Sequence, residues 1–149
     1  MAFAKLKVTE MNAVSEFSTP KATADIYTAL TENTSDSGVY GAYLDMSERD
    51  DKYVIVVHNT NSSAVCPITI KSGNGIYSGE DLTLASVPAT NKTAISIESG
   101  RFKWVTANGG FVDKAKTIAH GVDGLNEKGK VFFTSTKGGV SIAVFRQPV

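Results

Sequence analysis

The chain has one cysteine, four prolines and one tryptophan in 149 residues, and its formal charge has no sign. A lone thiol, Cys66, excludes an internal disulfide framework and any clustered thiolate metal site. It stands in an apolar stretch, which reads as a buried, inert thiol, and a disulfide-free chain fits synthesis in a reducing cytoplasm. Lys plus Arg and Asp plus Glu both number 15, so the basic footprint needed to neutralise a phosphate backbone is missing. Nucleic acid is therefore not an expected partner. No apolar run approaches a membrane span, and the opening Met-Ala-Phe-Ala-Lys-Leu-Lys lacks the apolar core of a signal peptide.

Catalytic patterns are equally scarce. His58 and His120 are far apart, with no acidic or cysteine spacing around them that would converge on a metal. Gly73-Asn74-Gly75-Ile76-Tyr77-Ser78-Gly79 invites a phosphate-cradle reading, but a strand pattern follows it where a helix N-terminus is needed. The glycines read as a turn or bulge. Asp50-Asp51 and Glu80-Asp81 are neighbours, and neighbours on a strand point to opposite faces, the wrong geometry for acid/base work on one substrate. No Gly-x-Ser-x-Gly elbow occurs. The expectation is a protein that is not an enzyme and uses no cofactor or metal.

What the chain does have is strands. At 42% apolar and 20% charged it is an ordinary globular composition, long enough for a core. Residues 1–52 read as an N-terminal arm with outlying strands: a weak alternation over Ala2–Val8, an ambiguous Ala22–Leu30, and an aromatic strand at Val39–Leu44. Residues 53–149 read as the main domain. Tyr53-Val54-Ile55-Val56-Val57 is β-branched and apolar on both faces, which predicts a buried central strand. Val65–Lys71 alternates, and Pro67 predicts an edge or a bulge there. Leu82–Val87, Thr93–Glu98 and Phe102–Val105 follow as short strands, and Lys114–Gly121 fits helix or strand. Val131–Thr136 and Val140–Phe145 read as a terminal hairpin around Lys137-Gly138-Gly139. The predicted class is all-β, a β-sandwich or jelly-roll-like domain. Its predicted inward set is Val54, Val56, Ile68, Ile70, Leu82, Leu84, Ile95, Ile97, Phe133, Ile142 and Val144. Tyr40, Tyr43, Tyr77 and Trp104 offer a sugar-stacking platform, against which stands Trp104 as a cap on the core.

Several of these stretches carry a family resemblance. An apolar strand ends in Val57-His58-Asn59-Thr60. Ile68-Thr-Ile-Lys-Ser-Gly-Asn-Gly-Ile-Tyr-Ser-Gly-Glu-Asp-Leu82 follows, then Val87-Pro88-Ala89. Ile95-Ser-Ile-Glu-Ser-Gly-Arg-Phe-Lys103 and a closing Ala143-Val-Phe-Arg-Gln-Pro148 complete the set. Together, residues 53–106 and 140–148 resemble the head-decoration, or cement, proteins of tailed bacteriophages. The resemblance implies a β-sandwich on the outside of an expanded capsid, made in the host cytoplasm, that bridges subunits of the major capsid protein. It also implies a homo-oligomer, with a trimer favoured. The contact residues expected on this reading are Phe3, Leu6, Val8 and Phe17 in the arm, with Asn74 and Tyr77 in the glycine loop. The alternatives are a carbohydrate-binding module, also suited to a phage surface, and a phage tail component.

Overall fold

The computed structural model describes residues 3–11, 26–32, 38–47, 53–75, 79–97, 99–105 and 128–147. Among them the chain is built of eleven strands in two sheets that face each other across one core. The first sheet has the order β1 (Ala4–Lys5), β5 (Tyr40–Asp45), β10 (Lys130–Ser135), β7 (Cys66–Ile70) and β8 (Leu82–Val87), with β4 (Thr31–Glu32) also on β5. The second has the order β2 (Val8–Glu10), β11 (Val140–Arg146), β6 (Tyr53–Asn59) and β9 (Lys92–Ile97), with β3 (Tyr27–Ala29) also on β11. The fold is the all-β sandwich that the spacing of strands and turns predicts.

The N-terminal residues belong to both sheets. Ala4 and Lys5 pair in parallel with Ala42 and Tyr43, and three residues further on Val8 pairs in parallel with Val144. The chain therefore leaves one sheet and enters the other at Leu6 and Lys7. Leu6 is 2% exposed and donates its amide to the Tyr43 carbonyl at 2.8 Å. A second crossing lies beside it. β3 pairs antiparallel with β11, β4 pairs antiparallel with β5, and the buried Leu30 stands between them. The Lys7 amide donates to Thr28 Oγ1 at 3.2 Å and links the two crossings. One flank of the sandwich is thus closed by strands that change sheets at a corner. Residues 3–11 are part of the body, and the division at residue 52 separates β5 from β6, which sit in facing sheets of the same core. Ala22–Leu30 resolves toward strand at Tyr27–Ala29, as its Thr and Tyr content favours.

Several expectations change on closer view. In β6 the buried residues are Tyr53, Ile55, Val57 and Asn59, while Val54 is 37% exposed and Val56 half-buried. β6 is central between β11 and β9, yet among the described residues only one face of its sheet meets the core, so a run of β-branched residues could not by itself say which alternate set points inward. Val54 and Val56 therefore leave the core, whereas Ile68, Ile70, Ile97, Phe133, Ile142 and Val144 are buried in it. Leu82, Leu84 and Ile95 pack against it from half-buried positions. Residues 136–139 do not close a hairpin. β10 and β11 lie in different sheets, and the turn carries the chain across the core. Phe102–Val105 is not a strand: Ser99–Phe102 forms a single helical turn, α1, and Trp104 then exchanges backbone hydrogen bonds with Gly129 and Lys130. Pro67 sits at an irregularity in the β7–β8 register, between Cys66↔Val87 and Ile68↔Leu84, which spares the ladder a missing donor.

From β5 onward successive strands run up and down, so their connections fall at two ends. The turns 60–65, 88–91 and 136–139 share one end and are tied by Asn59, whose side chain is fully buried. Its amide donates to the carbonyls of Ala64 (2.8 Å) and Val87 (2.9 Å), and its Oδ1 accepts from the backbone and side chain of Asn61. Asn61 passes the link to Cys66 Sγ and the Gly138 carbonyl, both at 3.0 Å. Removing this amide leaves two carbonyls without their donor, each costing about 1–3 kcal/mol when buried. Asn59→Ala is expected to lower unfolding stability by about 3 kcal/mol in urea titrations. A loss below about 1 kcal/mol would show that the turns hold without it.

Candidate functional site

At the end opposite Asn59, β5, β7 and β9 finish and β6, β8 and β10 begin. Here the crossing strand reaches the surface. Lys5, Leu6, Lys7, Val8, Asp45 and Arg146 line an open groove of about 400 Å³. The alternation Lys-Leu-Lys-Val puts Leu6 into the core and leaves Lys5 and Lys7 exposed. β11 delivers Arg146 at its end, and β5 delivers Asp45 at its own.

The charges at this groove are paired. Lys5 Nζ is 4.0 Å and Lys130 Nζ 3.6 Å from the Asp45 carboxylate, which also accepts hydrogen bonds from the backbone and hydroxyl of Ser47. Burial pushes the Asp45 carboxyl up, but the Ser47 hydrogen bonds and the two lysine charges outweigh it and hold the group below its usual value. Arg146 Nη2 pairs with Glu10 across the β11–β2 ladder. Burial lowers the Arg146 pKa, and the interactions with Glu10 and Tyr53 more than reverse that. Among the described residues, Lys5, Lys7, Lys130 and Arg146 gather here with the carboxylates of Asp45 and Glu10.

The glycine loop at the same end is braced. Asp81 accepts Lys71 Nζ at 2.8 Å and the Ser72 amide at 2.7 Å, closing the loop at its base. The Gly73 amide donates to the Arg101 carbonyl at 2.8 Å, and Arg101 Nη2 donates to the Glu80 carbonyl at 3.1 Å. Asn74 is 1% exposed, and its Oδ1 accepts the Val105 amide at 2.9 Å. It fastens the segment that follows α1 to the loop, and being buried it is not available as a surface contact. Among its described residues, the Gly73 amide is engaged by a carbonyl, and α1 beside it is only four residues long.

The remaining expected contacts divide in two. Phe3 and Leu6 are buried, 4% and 2% exposed, and cannot meet a partner directly; Val8 is half-buried at the groove. Phe17 and Tyr77 lie outside the described residues, as does His120. Phe3 lies with Tyr43, Trp104 and Phe132 on the outer face of the first sheet, where Trp104 meets Phe132 edge-on at 5.7 Å. Trp104 is 1% exposed, so it cannot serve as a sugar platform, and it covers a satellite cluster instead of capping the space between the sheets. His58 packs its ring against Tyr27 at 5.5 Å on the outer face of the second sheet. Among the described residues no group of His, Cys, Asp and Glu could hold a metal.

Lys5, Lys7, Asp45 and Arg146 were not expected from the sequence. Only the alternation at residues 5–8 hinted at them; Asp45 and Arg146 reach the groove through long-range pairing. Comparison with known proteins adds no assignment, since no family model, no curated protein and no solved structure matches the chain.

Two outcomes follow from this end of the molecule. Burial raises the Asp81 pKa, but hydrogen bonds from Lys71 and Ser72 and the lysine charge lower it more, leaving it below the usual carboxylate value. A carboxyl depressed by folding contributes stability above its unfolded pKa and loses it as pH falls through the folded one. Between about pH 5 and about pH 2 the denaturant midpoint of wild type should therefore fall more steeply than that of Asp81→Asn. Equal slopes would remove Asp81 from the acid response. The second outcome concerns Gly41, where an added Cβ would overlap the Phe3 ring. Gly41→Ala should cost about 1–3 kcal/mol and red-shift Trp104 fluorescence as the cluster opens.

Proposed function

We propose that this chain is a head-decoration protein of a tailed bacteriophage, bound to the outside of the expanded capsid and bridging subunits of the major capsid protein. The observation that carries the reading is where the resembling residues fall. They occupy β6, β7, the braced 71–81 loop, the β8–β9 turn, α1 and β11, so the resemblance covers a connected part of the sandwich. A clamp of this kind needs a stiff body and a shaped surface, and no reacting group. The crossing strand supplies stiffness, because residues 4–10 are hydrogen-bonded into both sheets.

The groove over Lys5–Val8 is the contact surface on this reading, with cationic side chains meeting acidic positions on the capsid subunits. A protein that binds only the expanded lattice stabilises it by mass action. Repetition across the shell raises the effective affinity of modest contacts.

The test is sedimentation of the purified protein with undecorated, expanded heads of the phage that encodes it. Wild type is expected to saturate at a stoichiometry commensurate with the lattice. Lys5→Glu/Lys7→Glu should bind about tenfold more weakly, equivalent to ~1.4 kcal/mol, while still unfolding cooperatively on heating. Failure of wild type to sediment with the heads would overturn the assignment. Full binding by the double variant would move the contact away from the groove.

A further inference from the structure

The two flanks of the sandwich differ. One is closed by the crossings at Leu6 and Leu30. On the other, β8 and β9 each hydrogen-bond a neighbour on one side only among the described residues, and the turn 88–91 joins them. Exposed strand edges are templates for further pairing, and soluble proteins normally blunt them with charge, proline or a bulge. β8 carries the register irregularity opposite Pro67, which blunts it. β9 has none. It pairs residue for residue with β6 from Lys92↔His58 to Ile97↔Tyr53, and its sequence Lys-Thr-Ala-Ile-Ser-Ile has one charge, at the first position, and no proline or glycine.

We propose that β9 pairs edge to edge with β9 of a second copy of this chain, antiparallel about a two-fold axis through Ile95, so that the second sheet runs on through the dimer. The occupant follows from self-complementarity. A two-fold axis normal to the sheet keeps inner residues on the inner side and outer residues on the outer side, which requires an axis through a residue. Centred on Ile95, it sets the two half-buried isoleucines opposite each other, as a β-branched cross-strand pair. Ala94, exposed, then faces the partner's Ser96, also exposed, and the two Lys92 side chains lie at opposite ends of the paired strands. No like charges meet. An interface of this kind is isologous and closes at two copies, unlike the three-fold ring that the family resemblance implies. It spans only six residues per strand, so the association is concentration-dependent. The inference does not rest on the capsid reading.

Sedimentation velocity over a concentration series up to about 1 mM tests it. Wild type should pass from monomer to dimer. Ala94→Lys/Ser96→Lys places lysines opposite lysines across the axis and should remain monomeric with its melting temperature kept. Ala94→Lys/Ser96→Glu places opposite charges there and should dimerise at least as well as wild type. A wild type that stays monomeric or forms trimers overturns the proposal. So does a dimer indifferent to the lysine pair, or one that both variants abolish.

Discussion

The strand that changes sheets at Leu6 sets the geometry of everything around it. A chain crossing a sandwich at its flank takes its backbone amides and carbonyls through a region where water is excluded, and each must find a partner. Here Leu6 meets Tyr43, Lys7 meets Thr28, and Leu30 meets Val140, so the crossings satisfy each other and the two sheet edges together. β5 and β11 are held at a fixed separation as a result. The core layer of Leu44, Ile55, Val131 and Ile142 is packed between sheets that cannot splay on that side.

Much of the fold could be read from residue patterns because it rests on local alternation. β7 and β10 declared themselves through Ile68, Ile70 and Phe133, and the class followed from the turn spacing. What could not be read depends on contacts between residues far apart in the chain. Val54 and Ile55 are chemically interchangeable, and only the packing of one sheet face decides that Ile55 goes in. Gly138 and Gly139 look like a hairpin tip, but whether two strands pair or face each other across a core is a property of their other neighbours. Trp104 and Phe3 illustrate the same limit from the opposite side: both are large and apolar, yet they cover the outside of a sheet.

The functional surface was the least legible part. Phe3 and Leu6 suggest a sticky arm when read alone, because an apolar residue near a terminus can serve a partner or its own core equally well. The pairing of β1 with β5 and of β2 with β11 decides for the core, and the same pairing lifts Lys5 and Lys7 to the surface. Asn74 presents the same ambiguity in a polar residue: in a glycine-rich loop it looks exposed, and it is instead a buried brace for the segment after α1.

The order in which these strands are made gives the architecture a temporal side. β11, ending at Arg146, pairs with β2, β3 and β6, the first of which lies some 130 residues earlier in the chain. The second sheet has no middle until that strand has left the ribosome. β2, β3 and β6 must wait for it with these pairing edges unfilled, a long-range dependence that makes folding slow and leaves early strands open to wrong partners. Synthesis of β11 is therefore the event that lets the second sheet close, and the earlier strands of that sheet find their shared neighbour only then.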